Sequence, residues 1–176
     1  MNSDTTSHPP AGPQSPTGHQ PTVAPQPPAG PRKKILVVDD DAIILKTLSF
    51  KLKSNGYNVI TAMDGAEAVS SARKEKPDLI LLDISFPPDV GHGGGVAWDG
   101  FLIINWLRRI DDLKQTPIIV ITGGDPMQYE KRSLDAGAVA FFLKPLNHDG
   151  LINVIRRTLG EITTPPTPGF DTTFTI

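Results

Sequence analysis

The sequence predicts a doubly wound α/β domain: a five-stranded parallel sheet with helices on both faces. Between residues 33 and 160 the apolar residues switch repeatedly between short continuous runs and helix-period patterns, as alternating strands and helices require. Four of the runs end in polar residues. Ile35-Leu36-Val37-Val38 is followed by Asp39-Asp40-Asp41, Leu79-Ile80-Leu81-Leu82 by Asp83, Ile118-Ile119-Val120-Ile121 by Thr122, and Ala140-Phe141-Phe142-Leu143 by Lys144. In a chain of alternating strands and helices such endings converge on one edge of a parallel sheet, where α/β proteins place their sites.

The elements follow in order. The first strand covers 34–38. The first helix, 42–55, stacks Leu45, Leu48 and Leu52 on one face and stops at Asn55-Gly56. A strand at 57–61 and a helix at 65–75 come next, then a strand at 78–83. The third helix is placed at 100–110 and the fourth strand at 117–122. The fourth helix, 126–136, ends at Gly137 as the first ends at Gly56, and a strand at 139–143 and a helix at 148–160 complete the set. Right-handed crossovers then give a doubly wound sandwich, and of its common strand orders the flavodoxin-like 2-1-3-4-5 is chosen, which sets the two carboxylate-bearing strands, first and third, side by side.

The rest of the 176 residues reads as tails on this single domain, here bounded at 32–161. Residues 1–31 hold nine of the eighteen prolines, almost no charge and one branched aliphatic, Val23, too little apolar area to offset the entropy of ordering. That segment is expected to be a disordered tether, with polyproline-like stretches about Pro25-Gln26-Pro27-Pro28, a match to PxxP that Pro-rich chains also produce by chance. Residues 162–176, rich in Pro and Thr, read as a second tail carrying Phe170 and Phe174.

A formal charge of −2 without a long basic block gives no electrostatic case for nucleic acid or membrane as partner. The chain has no cysteine, which excludes disulfides and thiolate metal sites. With no signal-peptide pattern and no stretch near the roughly 20 apolar residues that span a bilayer, a cytoplasmic location is expected.

Several carboxylates in one cleft repel one another unless a cation is present. Magnesium suits such a site because it takes hard oxygen ligands, keeps waters and bridges to phosphate; Mn2+ is the alternative. Asp39 and Asp40 would hold the ion, with an oxygen from Asp83 and the backbone carbonyl of Ser85. Asp83 would also be the nucleophile, since carboxylates attack phosphoryl donors to give aspartyl phosphates. Lys144 and the Thr122 hydroxyl would meet the charge on the transferred group. Taken singly these residues have plainer readings: Asp40 or Asp41 as N-cap of the first helix, Asp83 as a turn residue, Thr122 as an ordinary strand residue, Lys144 as a solvated charge. Four matching strand ends are hard to obtain by accident.

The runs Lys34-Ile-Leu-Val-Val-Asp-Asp-Asp41, Pro77-Asp-Leu-Ile-Leu-Leu-Asp-Ile84, Pro117-Ile-Ile-Val-Ile-Thr-Gly123 and Ala138-Val-Ala-Phe-Phe-Leu-Lys-Pro145 resemble the receiver domain of two-component response regulators over residues 33–160. The resemblance implies a phosphoacceptor at Asp83, metal-binding acids at Asp39 and Asp40, phosphoryl-sensing residues at Thr122 and Lys144, and a switch aromatic at Phe141. It also implies a cis peptide before Pro145 that fixes the approach of the lysine. Phosphate on Asp83 would draw Thr122 inward, open space for Phe141 to bury, and remodel the face of the fourth helix, fifth strand and fifth helix.

Two departures from the family pattern stand out. Gly123-Gly124 follows the threonine where a side chain is commoner, which predicts a loose loop and a short-lived acyl phosphate. After the third strand Pro87 comes on schedule, but the Asp99-Gly100 that opens the third helix comes nine residues late, an insertion within Pro88–Trp98 that is rich in glycine. The insert has no Gly-Lys-Ser/Thr and negative neighbours, against a phosphate-binding loop; its His92 is a lone loop histidine, more often neither ligand nor phosphate contact. Leu102 and Trp106 share the outer face of the third helix, and Val96 and Trp98 of the insert are expected to cover them.

No DNA-binding or catalytic module is seen after residue 160, so the expected role is a stand-alone receiver. It would take phosphate from a histidine kinase or a histidine phosphotransfer protein and signal to a downstream protein target, a switch and not an enzyme acting on an external substrate. Two alternatives belong to other classes: a phosphate-independent protein-binding scaffold, and a magnesium-dependent phosphohydrolase, which needs an acid where Ser85 stands. A dinucleotide-binding protein is excluded by Asp-Asp-Asp in place of the Gly-rich turn.

Overall fold

The computed structural model describes residues 31–85 and 100–162; the Pro-rich N-terminal segment, the insert with its His92, Val96 and Trp98, and the C-terminal Thr/Pro segment fall outside them. Ten elements alternate: β1 (Lys34–Val38), α1 (Ala42–Ser54), β2 (Asn58–Ala62), α2 (Gly65–Glu75), β3 (Leu79–Asp83), α3 (Gly100–Arg108), β4 (Ile118–Thr122), α4 (Pro126–Asp135), β5 (Ala140–Leu143) and α5 (His148–Thr158). All strand pairs are parallel, in the order β2-β1-β3-β4-β5, the flavodoxin-like arrangement expected.

The strand period of two divides the core. Ile35, Val37, Leu79, Leu81, Ile119, Ile121 and Phe142 face α1 and α5, where Leu45, Leu48, Leu52, Leu151, Ile152 and Ile155 meet them. Leu36, Val38, Ile80, Leu82, Ile118, Val120 and Phe141 point to the opposite face, against Ala68 and Ala72 of α2 and Phe101, Ile103, Ile104 and Leu107 of α3. The three central strands are buried on both faces, so their sequences read as unbroken apolar runs. Removing each Leu or Ile side chain from water contributes about 1.5–3 kcal/mol.

Four helices start on a capping side chain. Asp41 accepts from the Ile43 and Ile44 amides, Asp64 from Glu67, Asp125 from Met127 with Pro126 in the first turn, and Asn147 from Gly150. Asp41 is thus the N-cap of α1, which leaves Asp40 for the strand ends. Gly56 and Gly137, at φ 92° and 94°, carry the chain out of α1 and α4 in a conformation that side chains rarely adopt. At Gly100 the requirement is space: a Cβ there would stand 2.4 Å from the Ile84 Cα, so only glycine lets α3 begin against the end of β3.

Element boundaries shift where a backbone group is already committed. β2 begins at Asn58 and not at Tyr57, because the Tyr57 amide closes the end of α1 on the Leu52 carbonyl and the ladder opens with Asn58 N–H on Lys33. β4 starts after Pro117, which has no N–H to donate. β3 starts one residue after Asp78, whose carboxylate accepts the Lys34 amide at 2.8 Å and the Lys33 ammonium at 3.0 Å. β5 starts at Ala140, and α3 and α5 close two residues before their expected ends.

Candidate functional site

Parallel pairing in register places the polar strand ends together. Val38 pairs with Leu82, Asp83 with Ile121 and Thr122 with Leu143, so Asp39, Asp83, Thr122 and Lys144 all emerge at the C-terminal edge of the sheet. Their positions are held by the backbone as well: Asp39 N–H donates to Ala62 and Lys144 N–H to Thr122, at 3.1 and 2.8 Å.

Lys144 is the centre of the cluster. Its Nζ donates to Asp39 Oδ2 at 2.7 Å and to Asp83 Oδ2 at 2.5 Å, and both carboxylates are almost fully buried, 1% and 3% exposed. The remaining oxygens are also met: Asp39 Oδ1 accepts the Asp41 amide at 2.9 Å and Asp83 Oδ1 the Ser85 amide at 2.6 Å. The Lys144–Pro145 peptide is cis.

Burial pushes the Asp39 carboxyl above its ordinary range, further than the Lys144 hydrogen bond and the Asp41 amide draw it down; the charge of Asp83 adds to the rise. Burial works against the Lys144 ammonium too, but its hydrogen bonds to Asp39 and Asp83 outweigh that and hold its pKa above the usual lysine value.

Asp40, exposed, joins Asp39 and Asp83: one carboxylate oxygen from each lies within 4.8 Å of the others. Three carboxylates face one ammonium, so the cluster carries more negative than positive charge, and its donors are hard oxygens. That donor set suits a divalent oxygen-seeking cation such as Mg2+.

On the β4 side Thr122, fully buried, shares a short hydroxyl contact with Ser85, while the Gly124 amide donates to Thr122 Oγ1 at 3.0 Å and the Gly123 amide to Ser85 Oγ at 3.3 Å. The sequence reading used Ser85 only for its carbonyl and missed the hydroxyl. Nothing in the sequence links positions 85 and 122, which meet only because β3 and β4 are neighbours. Phe141 is 7% exposed and already part of the core, so the inward step expected of it has no outward starting point here.

The two glycines of the pair have different surroundings. Neither residue has a left-handed backbone. A Cβ at Gly123 would meet nothing within 4 Å, whereas one at Gly124 would stand 2.5 Å from the ring of Tyr129. On α3, Leu102 is half-buried and Trp106 is 43% exposed. Among the described residues no helix is long and apolar enough to cross a membrane.

A family model described as the response regulator receiver domain matches residues 35–156. The chain is similar to the polar-differentiation response regulator DivK of Brucella anthropi, 30% identical over 129 residues that make up 73% of this chain and 98% of that protein. It is also similar to the alkaline phosphatase synthesis transcriptional regulatory protein PhoP of Bacillus subtilis, 38% identical over 115 residues, though these are 65% of this chain and only 43% of PhoP. Among solved structures, the chemotaxis protein CheY4 of Vibrio cholerae superposes with a TM-score of 0.64 at 30% identity, covering 73% of this chain and 99% of that one. The receiver domain of the sensor histidine kinase PA1611 from Pseudomonas aeruginosa, solved with a magnesium ion coordinated in its active-site cleft, gives 0.63 at 27% identity, with 74% and 99% covered. Because the family match spans more than half of the chain and takes in every one of these strand ends, the chain belongs to the response regulator receiver domain family, the signalling switches of two-component phosphorelays.

Proposed function

We propose that the chain is a single-domain response regulator that accepts a phosphoryl group on Asp83 from a histidine kinase or a histidine phosphotransfer protein and passes the signal to a downstream protein. The observation that carries this reading is the buried Asp83 carboxylate held by Lys144 beside Asp39, at the mouth of the sheet. An Asp83 oxygen attacks phosphorus, the bond from phosphorus to the donor nitrogen breaks, and the imidazole leaves and takes up a proton. Asp39, Asp40, Asp83 and the Ser85 carbonyl would hold Mg2+, or Mn2+ in its place. When bound, the ion neutralises charge on the transferred group.

Lys144 already spans both acids, so it need only exchange the Asp83 oxygen for a phosphoryl oxygen. Thr122 supplies a hydroxyl one strand away, and leaving Ser85 to reach the phosphoryl group would be its sensing step. Phe141, already inside, would then act by repacking within the core. The half-buried lysine covers one side of the acyl phosphate, while the open space at the exposed Gly123 admits water on the other, which supports a short lifetime.

Intact-mass measurement after incubation with acetyl phosphate tests the reading. Wild type should gain a labile, magnesium-dependent phosphoryl adduct and Asp83→Asn none. A folded wild type that binds Mg2+ and gains no adduct would sink it and favour the phosphate-independent scaffold. A phosphohydrolase is not supported, because Ser85 offers no acidic proton and its hydroxyl is engaged with Thr122.

A further inference from the structure

The contacts around Gly124 point to a mechanical connection between the site and two helices. Its amide donates to the Thr122 hydroxyl, so the segment after β4 is tied to the group beside Asp83. On its other side lies Tyr129: a Cβ at Gly124 would stand 2.5 Å from the ring Cε2, 2.8 Å from Cδ2 and 3.3 Å from Thr122 Oγ1. The ring is there because helical side chains lean toward the helix N-terminus, so a residue one turn into α4 covers the segment before its Asp125 cap.

The Tyr129 ring is itself held from α3. It stacks on Phe101 with centroids 6.2 Å apart and planes inclined by 24°, and Arg132, one turn further along α4, lies 3.7 Å over the Phe101 centroid. Phe101 is thus gripped by two side chains of one helix. Ser133 is the one fully buried residue of α4, which otherwise rests on β5 and, through Arg108 and the Gly137 carbonyl, on α3.

We propose that Tyr129 is a positioning residue that couples the Thr122–Gly124 segment to α4 and α3. Displacement of Gly124 toward α4 must move the ring, because no Cβ-sized gap separates them, and the ring passes that displacement to α4 through its own backbone and to α3 through Phe101. Glycine at 124 is required for ring contact and not for looseness. The signalling consequence, that phosphorylation of Asp83 reaches α4 by this route, rests on the function proposed above; the coupling itself does not.

Amide hydrogen exchange of residues 130–135 in the full chain tests the coupling without phosphate. Gly124→Ala should drive the ring out and speed exchange across α4 by about tenfold. In a Tyr129→Ala background the added methyl finds room, so Gly124→Ala should then change those rates by less than about twofold. Tyr129→Phe should restore the sensitivity, since the ring and not the hydroxyl fills the space. A Gly124→Ala protein with wild-type exchange in α4, or an effect of equal size with and without the Tyr129 ring, would overturn the proposal.

A second measurement reads the consequence. In wild type and Tyr129→Phe, adduct formation by acetyl phosphate with Mg2+ should alter α4 exchange; Tyr129→Ala should form the adduct and leave α4 unchanged. An equal α4 response in Tyr129→Ala would overturn the route. A wild type without adduct would instead remove the phosphoacceptor reading, and the exchange cycle above would still decide the coupling.

Discussion

The two faces of the sheet are built differently. On one, α1 and α5 each bury three aliphatic side chains and are joined by long-range polar ties: Lys51 to Asp149 at 2.9 Å, Arg156 to Asn55 at 3.0 Å, and the Tyr57 hydroxyl to Glu161 at 2.7 Å. On the other, α3 is well buried, but α4 rests on β5, meets α3 through Phe101, Tyr129, Arg132 and the Arg108–Gly137 hydrogen bond, and buries only Ser133. Burial sets the free energy needed to open an element locally, so α1 and α5 form the fixed side and α4 the side that can answer a change at the strand ends. The site touches both: Asp39 leads into α1, and Thr122 leads into α4.

Core truncations should break this contrast most strongly. Leu52→Ala in α1, fully buried, should cost about 2–5 kcal/mol, and Leu134→Ala in α4, half-buried, about 1 kcal/mol or less, read from urea unfolding midpoints. Similar losses at the two positions would mean that α4 is as firmly seated as α1.

A smaller effect is expected at the floor that both faces share. The Asp78 carboxylate joins β3 to the start of β1, and although burial works against its charge, the Lys34 amide and the Lys33 ammonium hold its pKa below the usual carboxylate range. A depressed pKa adds stability that is complete above the unfolded value of about 4 and is lost as pH falls through the lower, folded value. Asp78→Asn should therefore cost about 1 kcal/mol at pH 7 and progressively less below pH ~4. An unchanged penalty at pH 3 would show that the hydrogen bond, and not the charge, is what matters.

Tyr57→Phe sharpens the comparison with the smallest perturbation. It removes the hydroxyl that Glu161 receives and should lower stability by about 0.5–1.5 kcal/mol, with faster exchange at the end of α5 and none of the change in α4. Burial and the adjacent Glu161 hold this phenol well above the ordinary tyrosine range, so its hydroxyl keeps the proton it donates.

Much of this was readable from the residues. The starts of α2, α4 and α5 at 65, 126 and 148 fall where they were expected, with the caps Asp64, Asp125 and Asn147 supplied by the structure, and the stops at Gly56 and Gly137 lie where the chain needs a positive φ. The choice between Asp40 and Asp41 as cap was not readable, because either carboxylate could reach the first turn; geometry gave the cap to Asp41 and left Asp40 to the acidic cluster. The crowding at Gly124 was not readable, because a sequence shows the missing side chain but not the ring that fills its place.

The residues alone were enough for the alternation of strands and helices and the convergence of Asp39, Asp83, Thr122 and Lys144 on one edge; the strand order was a choice among doubly wound arrangements that the sheet bore out. The alternation and the convergence follow from local periodicity and from the handedness of parallel crossovers, both of which act along the chain. Only the tertiary structure decided that Lys144 spans two acids, 105 and 61 residues away, that the Ser85 hydroxyl meets Thr122 across 37 residues, and that Tyr129 seals Gly124. Contacts of that kind depend on side-chain shape and on which strands become neighbours, and no periodicity along the chain encodes them.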